Sequence, residues 1–163
     1  MTKEMFEKSM QWIENRIGIA AVRILMKILT GITVAAYGVT LLWLLYQKDA
    51  ELFRVLLVPA AGFVVVSVFR KVVSAKRPYE IYGFIPLLEK NSKGNSFPSR
   101  HVFSNMIIAM AVLSIWTPGG IALMIIGICL AVLRVMTGVH FIKDVLAGAG
   151  IAVVIGIIGL FVL

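Results

Sequence analysis

The stretch Arg134-Val-Met-Thr-Gly-Val-His140-Phe-Ile-Lys-Asp144 leaves one apolar run, Gly119 to Leu133, and leads into another, Phe141 to Leu163. Each run is close to the roughly 20 residues with which a helix crosses about 30 Å of hydrocarbon. The stretch therefore reads as the junction between two membrane spans, and it carries an arginine, a histidine and an aspartate. Ionisable groups within or at the end of a span are costly unless paired, which makes them functional candidates by default. His140 and Asp144 are four residues apart, so on a helix they share a face within hydrogen-bond reach. The pattern is a histidine with a carboxylate to orient it.

Outward from this junction, three further apolar segments run from about Ile28 to Tyr46, Leu52 to Phe69 and Pro98 to Trp116. Backbone polar groups in lipid need partners within the chain, so all five segments read as helices. Trp43, Tyr46 and Trp116 near their ends suit interfacial aromatics. Ahead of them, Gln11 to Lys27 is helix-compatible but too charged to span, with Arg16, Arg23 and Lys27 on one face. It reads as an amphipathic interfacial helix leading into the first span, or equally as an extension of that span into water. The expected fold is an all-α membrane protein: a single domain over residues 1–163, with an N-terminal amphipathic helix (1–27) and a bundle of about five transmembrane helices (28–163).

Composition agrees. The chain of 163 residues is 60% hydrophobic, with a mean hydropathy of +0.97, well above the roughly 45–50% apolar content of soluble domains. Its formal charge of +8, from 16 Lys+Arg against 8 Asp+Glu, suits anionic headgroups or phosphates as partners. These charges border apolar spans and form no soluble patch, which argues against nucleic acid. The single cysteine, Cys129, lies mid-span and is expected to be a small buried apolar residue. No cleaved signal peptide is expected at the N-terminus. Small residues recur every four positions at Gly127 and Ala131, and at Gly148, Ala152 and Gly156. They would pack helices closely within one chain or, in a second reading, form the seam of a homodimer.

The connections fix which ends meet. Gln47 to Glu51 and Thr117 to Gly120 read as tight turns on one side of the membrane, and Lys76 to Phe97 as a long loop on the other. The end of the second span, the start of the third and the fourth–fifth junction then emerge together. The polar residues cluster at these three places. Arg70, Lys71, Lys76 and Arg77 close the second span before Pro78 stops its helix. Asn95-Ser96-Phe97-Pro98-Ser99-Arg100-His101 opens the third, where a proline-led first turn, free N–H groups and the helix dipole favour an anion. Arg134, His140 and Asp144 form the last cluster. Each has a plain reading as an anchor or cap, but three on one face, holding both histidines of the chain, point to a phosphate site. The loop residues Tyr82, Phe84, Ile85, Pro86, Leu87 and Leu88 could dip into the interface and cover a substrate, or form a plain interfacial loop.

These clusters resemble the signature of the type 2 phosphatidic acid phosphatase superfamily, K-x6-RP, PSGH and SR-x5-H-x3-D. Here they read Arg70-x6-Arg77-Pro78, Pro98-Ser99-Arg100-His101 and Leu133-Arg134-x5-His140-x3-Asp144. Order and spacing hold from about Leu52 to Leu163. Three positions depart: Arg70 stands for Lys, a fork for a point charge; Arg100 for Gly; and Leu133 for Ser, losing a hydroxyl.

The resemblance implies metal-independent and cofactor-free hydrolysis of a membrane lipid phosphate. His140 would be the nucleophile, Asp144 its orienting partner and His101 the acid on the leaving oxygen. Arg70, Arg77, Arg134 and Ser99, with Lys71 and Arg100 as additions, would hold the phosphoryl oxygens. The acidic residues are too few and scattered for a metal cage. The competing class is a non-catalytic protein that binds anionic lipid or carries an anion, which needs the arginines but neither histidine. An inactive subunit of the same family is a third. Undecaprenyl pyrophosphate, phosphatidylglycerol phosphate and phosphatidic acid all fit as substrate types. The resemblance also implies a plasma-membrane protein with its site facing outward, although Lys3, Lys8, Arg16, Arg23 and Lys27, on the same side by the crossing count, pull toward the cytoplasm.

Overall fold

The computed structural model describes residues 1–88 and 93–162. Residues 89–92, in the loop read either as a cover over a substrate or as a plain interfacial loop, and Leu163, at the end of the last expected span, lie outside the described residues. The described chain is helical: α1 Lys3–Arg16, α2 Ile19–Gln47, α3 Glu51–Val73, a short α4 Pro78–Tyr82, α5 Arg100–Ile115, α6 Thr117–Met136 and α7 Ile142–Gly156, extended by a wider π turn over Ile157–Val162. α2, α3, α6 and α7 are long and apolar enough to cross a membrane, whereas α5 is shorter. The five segments read as spans are thus the five principal helices, in a multi-pass membrane protein.

α5 forms the axis. It packs against α2, α3, α6 and α7 and buries residues on all its faces, among them Val102, Phe103, Asn105, Met106, Ile107, Ala109 and Val112. The outer helices instead turn large apolar side chains outward, including Leu42, Phe53, Ile125 and Leu146. In lipid this is the favourable arrangement, because contact with hydrocarbon carries no penalty for leucine and phenylalanine. Cys129 belongs to that outer surface. The expectation that it is buried is overturned, since its place on α6 points away from α5.

Small residues let the helices close around α5. A Cβ added at Gly127 would stand 2.6 Å from Met106 Sδ, at Gly156 2.8 Å from Met110 Cβ, and at Gly148 2.6 Å from the Ser99 carbonyl oxygen. The four-residue spacing of α6 and α7 therefore serves contacts within the chain. Gly120 has the same part at the other end, where an added Cβ would stand 2.3 Å from Leu113 Cα. The supposed turn Thr117–Gly120 is already helical, and Trp116 alone separates α5 from α6.

Two other boundaries differ from the sequence reading. The helix expected over 11–27 breaks at Gly18, whose φ of +87° side-chain-bearing residues rarely adopt. Arg23 and Lys27 thus belong to α2, and α1 is a separate helix. It is amphipathic as expected, but buries Phe6, Met10 and Ile13 against the protein. Pro78 does not stop α3, which ends at Val73 with Ser74 in the left-handed region. It occupies the first turn of α4 instead, where its missing N–H is no loss.

α1 lies on the side of the bundle where α3 and α6 end and α5 and α7 begin. Ser9 Oγ donates to the Met136 carbonyl at 3.1 Å. Phe6 stacks with Tyr82, Phe84 and Phe141 at ring separations of 6.2, 5.5 and 5.8 Å. Tyr82 and Phe84 from the long loop thus brace α1, and Leu87 and Leu88 join a cluster with Ile13, Val22 and Met26. Ile85 stays exposed.

Candidate active site

The α6–α7 junction is built by one tight reversal. Thr137 ends α6 with its hydroxyl donating back to the Leu133 carbonyl at 2.7 Å, and Gly138 follows at φ +74°. A side chain there would be strained, and its Cβ would stand 2.7 Å from the Phe84 ring. The reversal lets the Arg134 carbonyl accept the backbone N–H groups of both Val139 and His140, at 3.3 and 3.2 Å. His140 therefore leaves the chain ahead of α7, and it meets Asp144 across the helix start instead of along a helix face.

The pair is buried, with each side chain 1% exposed, and His140 Nδ1 lies 3.5 Å from Asp144 Oδ2. That carboxylate oxygen is held by two donors, the Phe141 N–H at 3.0 Å and Ser96 Oγ at 2.5 Å. Ser96 Oγ also lies 3.3 Å from His140 Nδ1. A hydroxyl can donate to one partner and accept from another. Ser96 is thus placed to receive the imidazole N–H and pass its own proton's hydrogen bond to the carboxylate. Burial pushes the His140 imidazole down to about 4, Asp144 opposing the fall and Arg77 and Arg134 adding to it. The ring is neutral near pH 7, with Nδ1 on the Asp144 and Ser96 side and Nε2 as the remaining nitrogen.

Ser99 brings α5 to the same place. Its N–H donates to the Asp144 backbone carbonyl at 2.8 Å, a contact that the missing side chain of Gly148 permits. Its hydroxyl is buried without a hydrogen-bond partner. Ser99 caps α5 with extended backbone, and Pro98, expected in the first turn, precedes it on a cis peptide from Phe97.

The cations divide by what they touch. The buried Arg70 guanidinium donates to the Pro98 and Asn95 carbonyls. Arg77, 2% exposed, donates from Nε to the Gly94 carbonyl at 3.1 Å and from Nη1 to the Val139 carbonyl at 3.5 Å. These two arginines thus span the elements that carry Ser96, Ser99 and His140. Glu80 supports Arg77: its carboxylate accepts the Arg77 N–H at 2.8 Å and the Gly94 N–H at 2.9 Å. Arg134 Nε is buried without a hydrogen-bond partner. Lys71 is exposed, and Arg100 is exposed with its guanidinium 5.5 Å from the centre of the Phe63 ring.

Arg70, Lys71, Arg77, Arg100 and His101, with Ser67, Gly94 and Asn95, line a cavity of about 220 Å³. The candidate site residues thus meet at one end of the bundle: Arg70, Lys71, Arg77, Arg100 and His101 line the cavity, and Arg77 reaches the Val139 carbonyl beside the buried His140–Asp144 pair, which Ser99 joins through its N–H. Sequence reasoning gives Ser96 and Glu80 no role. Glu80 had a local signal, since an acidic residue two places after a helix-starting proline is a capping pattern. Ser96 had none, because only the fold brings it to residues 44 and 48 positions away. Leu133, where the resemblance expects Ser, packs in the cluster of Ile13, Val22, Met26 and Leu130.

Among the described residues no three His, Cys, Asp or Glu side chains gather as a metal-ligand set.

A family profile described as the PAP2 superfamily matches residues 51–162. No curated protein matches. Among solved structures, LpxE of Aquifex aeolicus is 20% identical with a TM-score of 0.72, covering 94% of this chain and 93% of that one. A transmembrane PAP2-type phosphatidylglycerolphosphate phosphatase from Bacillus subtilis is 21% identical with a TM-score of 0.59, covering 94% and 89%. At these identities the two structures share the fold with this chain.

Proposed function

Because the chain belongs to the PAP2 superfamily of membrane lipid phosphatases, we propose that it hydrolyses a membrane lipid phosphate or diphosphate through a phosphohistidine on His140, releasing inorganic phosphate. The observation that carries this reading is the buried His140–Asp144 pair, braced by Ser96, with Arg77 of the cationic cavity bonded to the carbonyl that precedes His140. A phosphate binder needs cations, but it has no use for a neutral imidazole held in one tautomer.

With Nδ1 turned to Asp144 and Ser96, Nε2 is the nitrogen left to attack phosphorus. Asp144 stabilises the positive charge that develops on the ring. His101 protonates the leaving oxygen, a contribution of about 10²–10⁴-fold. Arg70, Arg77 and Arg134, with Lys71, the Ser99 hydroxyl and the N–H groups of α5, stabilise charge spread over the phosphoryl oxygens. Water then hydrolyses the phosphohistidine, and His101 takes back a proton.

Phosphate release from undecaprenyl pyrophosphate, phosphatidylglycerol phosphate and phosphatidic acid tests the reading. His140→Ala and His101→Ala are expected to abolish release while folding normally in detergent, and chelator to leave wild-type turnover unchanged. Release by the His140 variant would sink the assignment, and lipid binding without release by wild type would favour a non-catalytic lipid-binding protein.

We infer a plasma-membrane location with the site facing outward. α1, on the site's side, then faces outward too. A cysteine placed at Lys3 in a Cys129→Ser background should react with an impermeant reagent on intact cells; protection until lysis would reverse the orientation.

A further inference from the structure

A second cavity, of about 270 Å³, adjoins the cationic one between α2, α3 and α5, lined by Thr30, Thr33, Phe63, Ser104 and Ile108. Its only residues in common with the cationic cavity are Arg100 and His101. Beyond it, an apolar hollow continues past Phe63, Ser104 and Ile108 to Tyr37 and Leu56. The first turn of α5 thus joins the cationic cavity to the apolar hollow.

Arg100 differs from the other arginines of the site. Arg70 and Arg77 are occupied by backbone carbonyls, whereas Arg100 has no hydrogen-bond partner among the described residues and lies only over the Phe63 ring. An in-line attack by His140 places the leaving oxygen opposite the nucleophile, toward His101. Whatever is attached to that oxygen must pass the Arg100 guanidinium before it reaches Phe63 and the apolar hollow. A planar fork at that point matches a phosphate better than any uncharged group.

We propose that Arg100 forms a second anion subsite on the leaving-group side, which selects lipids carrying two phosphates in series over lipid monophosphates. The inference rests on the functional reading above and narrows its substrate class. Two kinds of lipid supply the chemistry: a prenyl diphosphate, and a diacyl lipid with a phosphodiester behind its terminal phosphate. In the reaction, His140 Nε2 bonds to the terminal phosphorus as the bond to the leaving oxygen breaks, and His101 gives that oxygen a proton. The bond breaks with the inner phosphate of the lipid on Arg100, and the lipid then dissociates from it. Water then cleaves the phosphorus–nitrogen bond and returns a proton to His101.

The test is kcat/KM for undecaprenyl pyrophosphate, phosphatidylglycerol phosphate, undecaprenyl phosphate and phosphatidic acid, in wild type, Arg100→Gly and Arg100→Lys. The ratio of two-phosphate to one-phosphate substrates should fall about 10- to 100-fold in Arg100→Gly, the range of one charge-assisted hydrogen bond, and recover partly in Arg100→Lys. The substrate with the larger fall identifies the source. An unchanged ratio overturns the subsite, as does a uniform fall over all four lipids, which a headgroup-anchoring arginine would give. Affinities of the same lipids for His140→Ala, with and without Arg100→Gly, separate this from the catalytic reading. A lost binding preference alongside an inactive wild type would keep the subsite and reject the enzyme; turnover with an unaltered preference would do the reverse.

Discussion

Ser96 holds the arrangement on which the proposed nucleophile depends. Its hydroxyl is fully buried between the imidazole and the carboxylate, and the direct Nδ1–Oδ2 separation of 3.5 Å is longer than a good hydrogen bond. Ser96→Ala should therefore slow phosphoenzyme formation by about 10- to 100-fold, the range for losing a hydrogen bond to a charged group. Rapid-quench measurement with labelled substrate reads this step directly, and an unchanged rate would show that the pair orients itself. The sequence singles out His140, Asp144 and His101 as candidates because histidine and aspartate at span ends have few inexpensive explanations. Serine in a loop has many, so only the packed structure singles out Ser96. For Arg70 and Arg77 the sequence gives charge and place but not the carbonyls they hold, which belong to the loop and to the α6–α7 junction.

At the scale of elements, the site is an agreement between two helix starts. The Ser99 N–H reaches the Asp144 carbonyl because Gly148 leaves room, and an added Cβ would stand 2.6 Å from the Ser99 carbonyl oxygen. Backbone cannot yield as a flexible side chain does. Gly148→Ala should cost about 1–3 kcal/mol of stability by overpacking and lower turnover more than Gly150→Ala, where an added Cβ meets nothing within 4 Å. Thermal unfolding and phosphate release on both variants check this, and equal behaviour would show that the close approach does not limit stability or turnover. Helix existence was legible from apolar run length, and helix ends were less so. α1 and α2 part at a glycine whose positive φ has no apolar signature, and α3 stops at a serine four residues short of the expected proline. The small-residue spacing predicted close packing, while the identity of the partner, α5, depended on the assembled bundle.

Across the whole molecule, one helix of the bundle is enclosed by spans that face lipid, and it is shorter than those spans. α5 has 16 residues, about 24 Å at 1.5 Å per residue, against roughly 30 Å of hydrocarbon. Its outer neighbours α2 and α3 have 29 and 23. If its far end, at Trp116, is anchored at the interface as an exposed tryptophan favours, the end that carries the candidate site sits several ångströms beneath the opposite headgroup plane. A phosphate bound there is sunk into the membrane, and the surrounding lipid must thin locally or the headgroup must descend. Membrane thickness thereby becomes a rate-controlling variable through hydrophobic mismatch. Turnover of a fixed substrate should be faster in nanodiscs of short-chain phosphatidylcholine than in long-chain ones; a flat profile would mean that the bundle carries its own water-filled entrance and leaves the bilayer undeformed.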